Sequence, residues 1–383
     1  MFDRSKLSYL KKIWISIDKK LFFVYLIYSL LGCLFIFTAS SPVAERIDVN
    51  TYFFLKKQLI YTILAFFIGF TIIAAGDFIN IKIVSLCFLI CLIMLLCVKL
   101  SGFSTKGAKR WLYIFGFSIQ PSEIIKPFLI MVISYILSVT KKMPDILKIF
   151  FSFIPLSIVS VFLYMQPDIG ILVLLLCVYL SMLFLSDIKV SNLFIIGTIF
   201  VFIIFVCYLS LPHVKNRINT YVSSLMDSKN MSYQVLTSLE AYRNAGYLGT
   251  GLLNGEVKKV IPDTHTDFIF PSITEEFGFL FSLTIISIYV YTTLRIIIIA
   301  YDNRKNTYKF LSLNGLSLLI IYQVFINIGV TLNILPTKGM TLPFFSYGGS
   351  SIISITITCA LILNLTKKNY NLDNINIENI CEI

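Results

Sequence analysis

Residues 192–211, NLFIIGTIFVFIIFVCYLSL, run for 20 positions without an Asp, Glu, Lys, Arg or His. A transmembrane helix needs about 20 consecutive apolar residues, because the hydrocarbon core of a bilayer is about 30 Å thick. A helix of this composition has no polar face to turn toward water, so a soluble core cannot accommodate it. The stretch therefore predicts a helix that spans a membrane.

Nine further apolar runs lie on either side of this stretch. The whole chain of 383 residues is 57% hydrophobic and only 14% charged, whereas a soluble domain has about 25% charged residues. The composition excludes a soluble protein and predicts an all-α, polytopic integral membrane protein. About ten transmembrane helices are expected, near residues 21–40, 58–75, 81–99, 123–139, 149–165, 170–186, 192–211, 277–300, 311–333 and 350–366.

The basic residues predict how the spans are oriented. An even number of spans places both termini on one side, and the lysines and arginines before residue 21 mark that side as cytoplasmic. The run 21–40 is too long for a cleaved signal core. We therefore expect a basic cytoplasmic N-terminus (1–20), a ten-helix membrane domain (21–366) and a cytoplasmic tail (367–383), with a large outer loop (212–276) between the seventh and eighth spans.

The cations that remain on the outer side need an explanation of their own. The chain carries 32 Lys and Arg against 20 Asp and Glu, a net charge of +12. They are scattered between apolar runs, which does not favour nucleic acid but does favour membrane lipids or a phosphate-bearing substrate. Either they bind an anion or the long loop escapes the insertion rule. The cations on the outer side are Lys106, Lys109, Arg110, Lys215, Arg217, Arg243, Lys258, Lys259 and Lys338.

The cysteines and histidines do not predict a metal site. Seven of the eight cysteines lie within or beside apolar runs, where they are typical of small buried hydrophobic residues. Cys87 and Cys91 are one helical turn apart, but no third ligand is near them in the sequence. His213 and His265 are too few for a histidine-rich site.

The large outer loop contains one segment with helical periodicity. Residues 232–243, SYQVLTSLEAYR, mix apolar and polar residues in an amphipathic pattern that predicts an interfacial or re-entrant helix. Gly246, Gly249 and Gly251 follow and end it.

The first group of candidate substrate-binding residues surrounds the start of the fourth span. Ser122 is placed to cap this helix. Glu123 and Lys126 project from one helical face, and ionisable residues inside spans usually face a cavity, form a pair or bind a ligand. An ion pair is the structural alternative for both, and Glu123 also suits the helix dipole. The preceding loop adds Lys109, Arg110 and Trp111.

Two further polar segments lie at the same side of the predicted bundle. Asp168, in the turn QPDIG (166–170), either caps the next helix or contacts substrate. The segment LPTKGMTLPFFSYGGSS (335–351) offers backbone and hydroxyl donors, including Ser346 and Ser350, that suit phosphate oxygens. A purely structural loop fits its composition equally well.

The segment PDTHTDFIF (262–270) supplies the candidate catalytic group. Asp267 is followed by three apolar residues, and desolvation raises the pKa of a carboxyl group toward the range useful for a general base. His265, two residues earlier, is a candidate substrate contact. Glu275 and Glu276 are expected at the start of the next helix, where the helix dipole would stabilise at least one of them.

Five motifs occur in order between the predicted spans: GAKRW (107–111), QPSEIIK (120–126), QPDIG (166–170), HTDFIF (265–270) with EEFG (275–278), and LPFFSYGGSS (342–351). On these motifs the chain resembles the SEDS family of polytopic cell-wall proteins, over about residues 15–366. Residues 233–251 and 333–351 look more like the division branch, FtsW, than the elongation branch, RodA. Asn333 stands where a glycine is common in the family, and Asp263 replaces a frequent glutamate.

The resemblance implies a peptidoglycan glycosyltransferase that polymerises lipid II on the outer face of the cytoplasmic membrane. It implies that Asp267 accepts the proton of the attacking sugar hydroxyl, and that Lys109, Arg110 and Lys126 neutralise the departing lipid pyrophosphate. Glu123 would orient Lys126 or help to hold a divalent cation, Mg²⁺ or Mn²⁺. The implied partners are a class B penicillin-binding transpeptidase and other divisome membrane proteins at the division septum.

Two other functions remain open from the sequence. A transporter that flips a polyprenyl-linked precursor would also use intramembrane charge and broken helices, and a non-catalytic scaffold for a transpeptidase would tolerate the carboxylate. The concentration of polar residues on one side, and the lack of a visible inverted repeat, favour the enzyme over the transporter.

Overall fold

A computed structural model of the chain describes residues 9–105, 108–114, 116–227 and 231–367. Much of the predicted tail (367–383) and the first residues of the predicted N-terminus lie outside these ranges. The helices are α1 Tyr9–Ser16, α2 Lys19–Arg46, α3 Phe53–Ala75, α4 Ile81–Ser101, α5 Pro121–Val139, α6 Asp145–Met165, α7 Ile169–Leu185, α8 Val190–Ser210, α9 Pro212–Met226, α10 Tyr233–Asn244, α11 Ile269–Asp302, α12 Thr307–Thr331 and α13 Gly349–Leu365.

Each of the ten predicted spans corresponds to a helix. Eight helices in the described part of the chain are long and apolar enough to cross a membrane. The other two, α7 and α13, have 17 residues each and are also apolar. Seventeen residues lie at the short end of the range for a spanning helix. The structure therefore confirms a polytopic helical membrane fold.

The bundle has a buried centre and an apolar outer surface. Helices α5 and α12 are the most buried of the long helices, whereas α8 is mostly exposed. Large aromatic side chains such as Phe67, Phe194 and Phe202 point outward. Such a surface is stable in lipid and not in water, because lipid chains solvate apolar groups.

A small β-sheet follows α4. Strands β1 Phe103–Thr105, β2 Ala108–Ile114 and β3 Phe117–Ile119 form an antiparallel sheet in the order β1-β2-β3. Lys109 pairs with Ser104, and Leu112 pairs with Ile119. The sequence predicted only an outer loop for this region. The sheet matters for the site because β2 carries Lys109, Arg110 and Trp111.

The predicted outer loop 212–276 is largely helical. The amphipathic segment forms α10, and the Ser232 hydroxyl caps it by accepting from the Val235 N–H. Helix α9 precedes it, and α11 begins at Ile269, eight residues before the predicted start. Gly278 has a φ of 88° and kinks α11 at that point. The predicted span 277–300 is therefore the second part of a longer, bent helix.

The ends of the helices form two distinct faces of the bundle. One face contains the N-termini of α2, α4, α6, α8 and α12. The other contains the N-termini of α3, α5, α7, α11 and α13, together with the sheet, α9 and α10. All four polar segments that the sequence singled out lie on this second face.

Candidate active site

Two loops meet at the centre of this face. The first is 263–268, which leads into α11, and the second is 332–348, which leads from α12 into α13. The Tyr347 N–H donates to the His265 carbonyl at 2.8 Å. The Ser346 hydroxyl donates to the Thr266 carbonyl and accepts from the Leu342 N–H at 2.7 Å. Ser346 therefore joins the two loops.

A buried aromatic stack supports the second loop. The ring of Tyr28 lies 4.7 Å from that of Tyr289 and 5.5 Å from that of Phe344. The Tyr289 hydroxyl donates to the Pro343 carbonyl. On α2, Gly32 lies against the Phe344 backbone so closely that a Cβ would overlap it. These contacts hold the second loop against α2 and α11.

Asp267 lies where the two loops touch. Its carboxylate rests against the α-carbon of Gly339, and a Cβ at residue 339 would overlap Oδ2. Only glycine leaves this space for the carboxylate. The loop that contains Ser346 therefore also forms one wall around the predicted catalytic group.

Asp168 binds a lysine from the second loop. Lys338 Nζ donates to Asp168 Oδ1 at 2.6 Å, and both side chains are largely buried. The Lys338 stem crosses Gly170, where a Cβ would overlap it. Asp168 precedes α7 but makes no side-chain cap hydrogen bond. Of the two interpretations of Asp168, the structure does not support the helix cap.

Charge at Asp168 is maintained by its neighbours. Burial by itself raises the pKa of this carboxyl group, but the Lys338 ammonium and the Arg110 guanidinium outweigh burial, so that the pKa is lowered. Burial lowers the pKa of Lys338, and Asp168 opposes that effect. The pair is therefore an ionised unit at the edge of the site.

The three β2 residues have different surroundings. Arg110 is half-buried and donates from Nε to the Gln166 carbonyl at 3.0 Å and from a terminal nitrogen to the Pro167 carbonyl. It therefore holds the turn before Asp168. Lys109 is exposed and Trp111 is half-buried.

Arg217, on α9, is a site residue that the sequence did not single out from the other outer cations. One helical turn later, the Tyr221 hydroxyl donates to the Ile334 carbonyl at 2.6 Å, so the shared face of these residues points toward the second loop. Arg217 is exposed, but the surrounding protein partly desolvates its guanidinium group, which lowers its pKa. Arg110 lowers it further, while Asp267 and Asp168 oppose the change.

Glu123 and Lys126 form the ion pair that their spacing predicts. Lys126 is only 2% exposed, and its Nζ donates to Glu123 Oε2 at 2.6 Å and to Gln323 Oε1 at 3.2 Å. Gln323 in turn donates to the Thr341 carbonyl at 2.9 Å. Lys126 therefore lies behind the second loop, and its ammonium group contributes to lowering the pKa of Asp168. Ser122 is not the cap, because α5 begins at Pro121 after Gln120.

The surroundings of Glu123 do not suit a metal ligand. Its Oε2 is bound to an ammonium group, which would repel a cation. Among the described residues, no group of three or more His, Cys, Asp or Glu side chains is placed to share a metal ion. Within the described ranges, Glu123 is therefore not part of a ligand set for the divalent cation that the sequence suggested.

His265 and Ser350 make contacts that connect the segments around the site. The His265 ring lies 4.6 Å from the Phe54 ring and 5.5 Å from the Tyr347 ring. The Ser350 hydroxyl accepts from the Gln120 N–H at 2.8 Å. These contacts join α3, α5 and α13 around the site.

Glu275 and Glu276 are not at a helix start. They precede the Gly278 kink, and the loop before the site wraps around them. Glu275 accepts from the N–H groups of Val257 and Lys258 at 2.8 and 2.9 Å. The Lys258 ammonium binds Glu276 Oε1 and the Thr38 carbonyl. Their role is to anchor residues 250–261, so the helix-dipole interpretation was wrong.

Comparison with known proteins identifies the family. The sequence profile described as cell cycle protein, which covers FtsW, RodA and SpoVE, matches residues 18–371. The chain belongs to this family. Curated members include the probable peptidoglycan glycosyltransferase FtsW of Wigglesworthia glossinidia brevipalpis, which is 35% identical over 90% of this chain and 92% of its own. The protein of the same name from Geobacter sp. strain M18 is 34% identical over 88% and 93%.

Solved structures share the FtsW–RodA fold. A chain from a study of polymerization and crosslinking by a peptidoglycan synthase complex superposes with a TM-score of 0.73 at 21% identity, covering 92% of this chain and 98% of that one. The rod shape determining protein RodA of Thermus thermophilus gives a TM-score of 0.67 at 21% identity, covering 92% and 97%.

Proposed function

We propose that this member of the FtsW–RodA family is a peptidoglycan glycosyltransferase that polymerises lipid II. The observation that carries the proposal is the placement of the Asp267 carboxylate, against Gly339, within the field of Arg217. Arg110 and Lys338 interact electrostatically with Arg217. A base for a hydroxyl group and cations for a pyrophosphate thus occupy one site. The relatives named as FtsW glycosyltransferases support this reading.

The reaction joins two lipid-linked sugars. Asp267 accepts the proton of the acceptor hydroxyl while its oxygen attacks the anomeric carbon of the donor. The bond between that carbon and the pyrophosphate oxygen breaks, and the electron pair leaves with the lipid pyrophosphate. No external oxidant, reductant or nucleotide is required.

Three cations stabilise the leaving group. Arg110, Arg217 and Lys338 lie around the charge that develops on the pyrophosphate, and fixed charges in a partly dry site act more strongly than in water. Asp168 keeps Lys338 in place, and its single negative charge does not neutralise the three cations. Lys126 adds to the field from behind the loop, and Lys109 contacts lipid headgroups from the exposed side of β2.

The proposed location of the protein in the cell follows from its predicted orientation in the membrane. The site faces the outer side of the cytoplasmic membrane and both termini face the cytoplasm, in line with the basic N-terminal segment. The structural relative from a peptidoglycan synthase complex supports a class B penicillin-binding transpeptidase as partner. The FtsW relatives favour the division septum and other divisome proteins as its surroundings.

One experiment separates enzyme, transporter and scaffold. The purified full chain, with its transpeptidase partner, is given lipid II in detergent, and lipid II movement is measured separately in vesicles. The proposal expects glycan strands longer than the starting disaccharide. Transport without strands would identify a flippase, and neither activity would identify a scaffold.

A tagged copy in cells is expected at mid-cell, whereas side-wall localisation would indicate the elongation role.

A further inference from the structure

Asn327 joins the two loops of the site from α12. Its side chain is 2% exposed, and its Nδ2 donates to the Asp267 carbonyl at 2.9 Å and to the Met340 carbonyl at 2.6 Å. A single amide group thus binds the backbone of the proposed base and the backbone of the residue after Gly339. Neither the motifs nor the charge pattern singled out Asn327.

These two carbonyls determine where the carboxylate points. Asp267 lies between the loop end and the first turn of α11, so its side chain direction depends on its own backbone. Met340 follows Gly339, against which the carboxylate rests. Fixing both carbonyls to one planar amide fixes the base and its wall relative to each other.

The second polar atom of Asn327 indicates that packing is not the reason for this residue. Among the residues that the structure describes, Oδ1 of Asn327 is buried without a hydrogen-bond partner. A buried unsatisfied acceptor costs about 1–3 kcal/mol. A leucine of similar size would avoid that cost but would leave both carbonyls without their donor.

We propose that Asn327 is the positioning residue that aims Asp267 at the acceptor hydroxyl. This inference rests on the proposed function, in which Asp267 is the base. Asn327 touches no substrate, and it acts through the backbone of Asp267. Displacement of a reacting group by about 1 Å costs roughly 100-fold in rate. We therefore expect Asn327→Leu to lower kcat about 10- to 100-fold, with KM for lipid II nearly unchanged.

Asn314 provides a matched control. It lies on the same helix, is also buried, and donates from Nδ2 to the Phe310 carbonyl at 2.8 Å, within its own helix and away from both site loops. Asn314→Leu removes a similar amide from α12 without touching the site. Thermal unfolding of both variants is measured beside kcat and KM.

A double-mutant cycle distinguishes positioning from general damage. If Asn327 acts through Asp267, adding Asn327→Leu to Asp267→Asn causes little further loss, because the base is already absent. Equal kcat values for Asn327→Leu and Asn314→Leu, or a full additional loss in the double variant, would overturn the inference. If Asn327→Leu does not fold, Asn327→Ser is measured in the same cycle. Wild-type polymerisation by Asp267→Asn would instead refute the role of the base itself.

Discussion

Lys338 Nζ lies 2.6 Å from Asp168 Oδ1, although 170 residues separate them in the chain. This ion pair connects the turn before α7 to the loop before α13, and Arg110 and Arg217 act on it electrostatically. It orients a cation at the edge of the site that contains Asp267.

Gly170 is predicted to be necessary for the position of Lys338. A Cβ at this residue would overlap the Lys338 stem, so Gly170→Ala should displace the ammonium group from Asp168. We expect polymerisation to fall about 10-fold or more, with a small effect on unfolding, because the lysine side chain is flexible. The control is Gly197→Ala in α8, where a Cβ would meet no atom within 4 Å. Equal activity of the two variants would contradict the prediction.

The Lys338 ammonium is predicted to limit activity at alkaline pH. Burial lowers its pKa below the value of about 10.4 for a free lysine, so the charge is present at neutral pH and is lost earlier as the pH rises. The polymerisation rate should therefore fall on the alkaline side. Lys338→Arg keeps its charge over this range and should move the fall to higher pH. A pH–rate profile that is identical in the variant would show that another group controls it.

Arg217 is predicted to bind the pyrophosphate of the donor. Arg217→Gln removes a cation that interacts with Asp267 and Arg110, and kcat/KM for lipid II should fall about 10- to 100-fold. Lys215, two residues earlier on α9, is exposed like Arg217 but lies on a different face of the helix. Steady-state kinetics of Arg217→Gln beside Lys215→Gln check this, and a similar loss in both would indicate a general charge effect.

The buried pair Lys258–Glu276 is predicted to stabilise the loop before the site. Lys258→Met leaves the Glu276 carboxylate buried and unpaired, which typically costs about 3–5 kcal/mol. The double variant Lys258→Met with Glu276→Leu should recover most of this loss in thermal unfolding. Lys259, which pairs with Glu256 at the surface, is the control, and Lys259→Met should unfold like the wild type. No recovery in the double variant would argue against the pair.

The fold was predictable because hydrophobic length is a local property. The run 192–211 has the length and composition of a span, and it forms α8. The bend of α11 was not predictable in the same way, since it depends on Gly278 together with the backbone of residues 246–251, whose N–H and carbonyl groups bind the residues around the kink.

The site was predictable only in part. Asp168 and Asp267 stand out in the sequence as carboxylates beside apolar runs. Arg217, Lys338 and Asn327 acquire their roles from contacts with distant segments, and a single sequence does not show those contacts. Asn333 illustrates a partial signal: its φ of 57° explains why a glycine is common there, because asparagine is the other residue that adopts this conformation readily.

The catalytic role of Asp267 is tested by comparing lipid II polymerisation by the wild type and by Asp267→Asn, each purified with the transpeptidase partner. The substitution keeps the size of the side chain and removes the base. If Asp267 is the base, we expect Asp267→Asn to lose about 100-fold or more of the activity with an unchanged unfolding temperature, whereas Glu256→Gln, on an exposed carboxylate of the same face, should retain full activity. Glycan strands formed by Asp267→Asn at the wild-type rate would show that Asp267 is not the base.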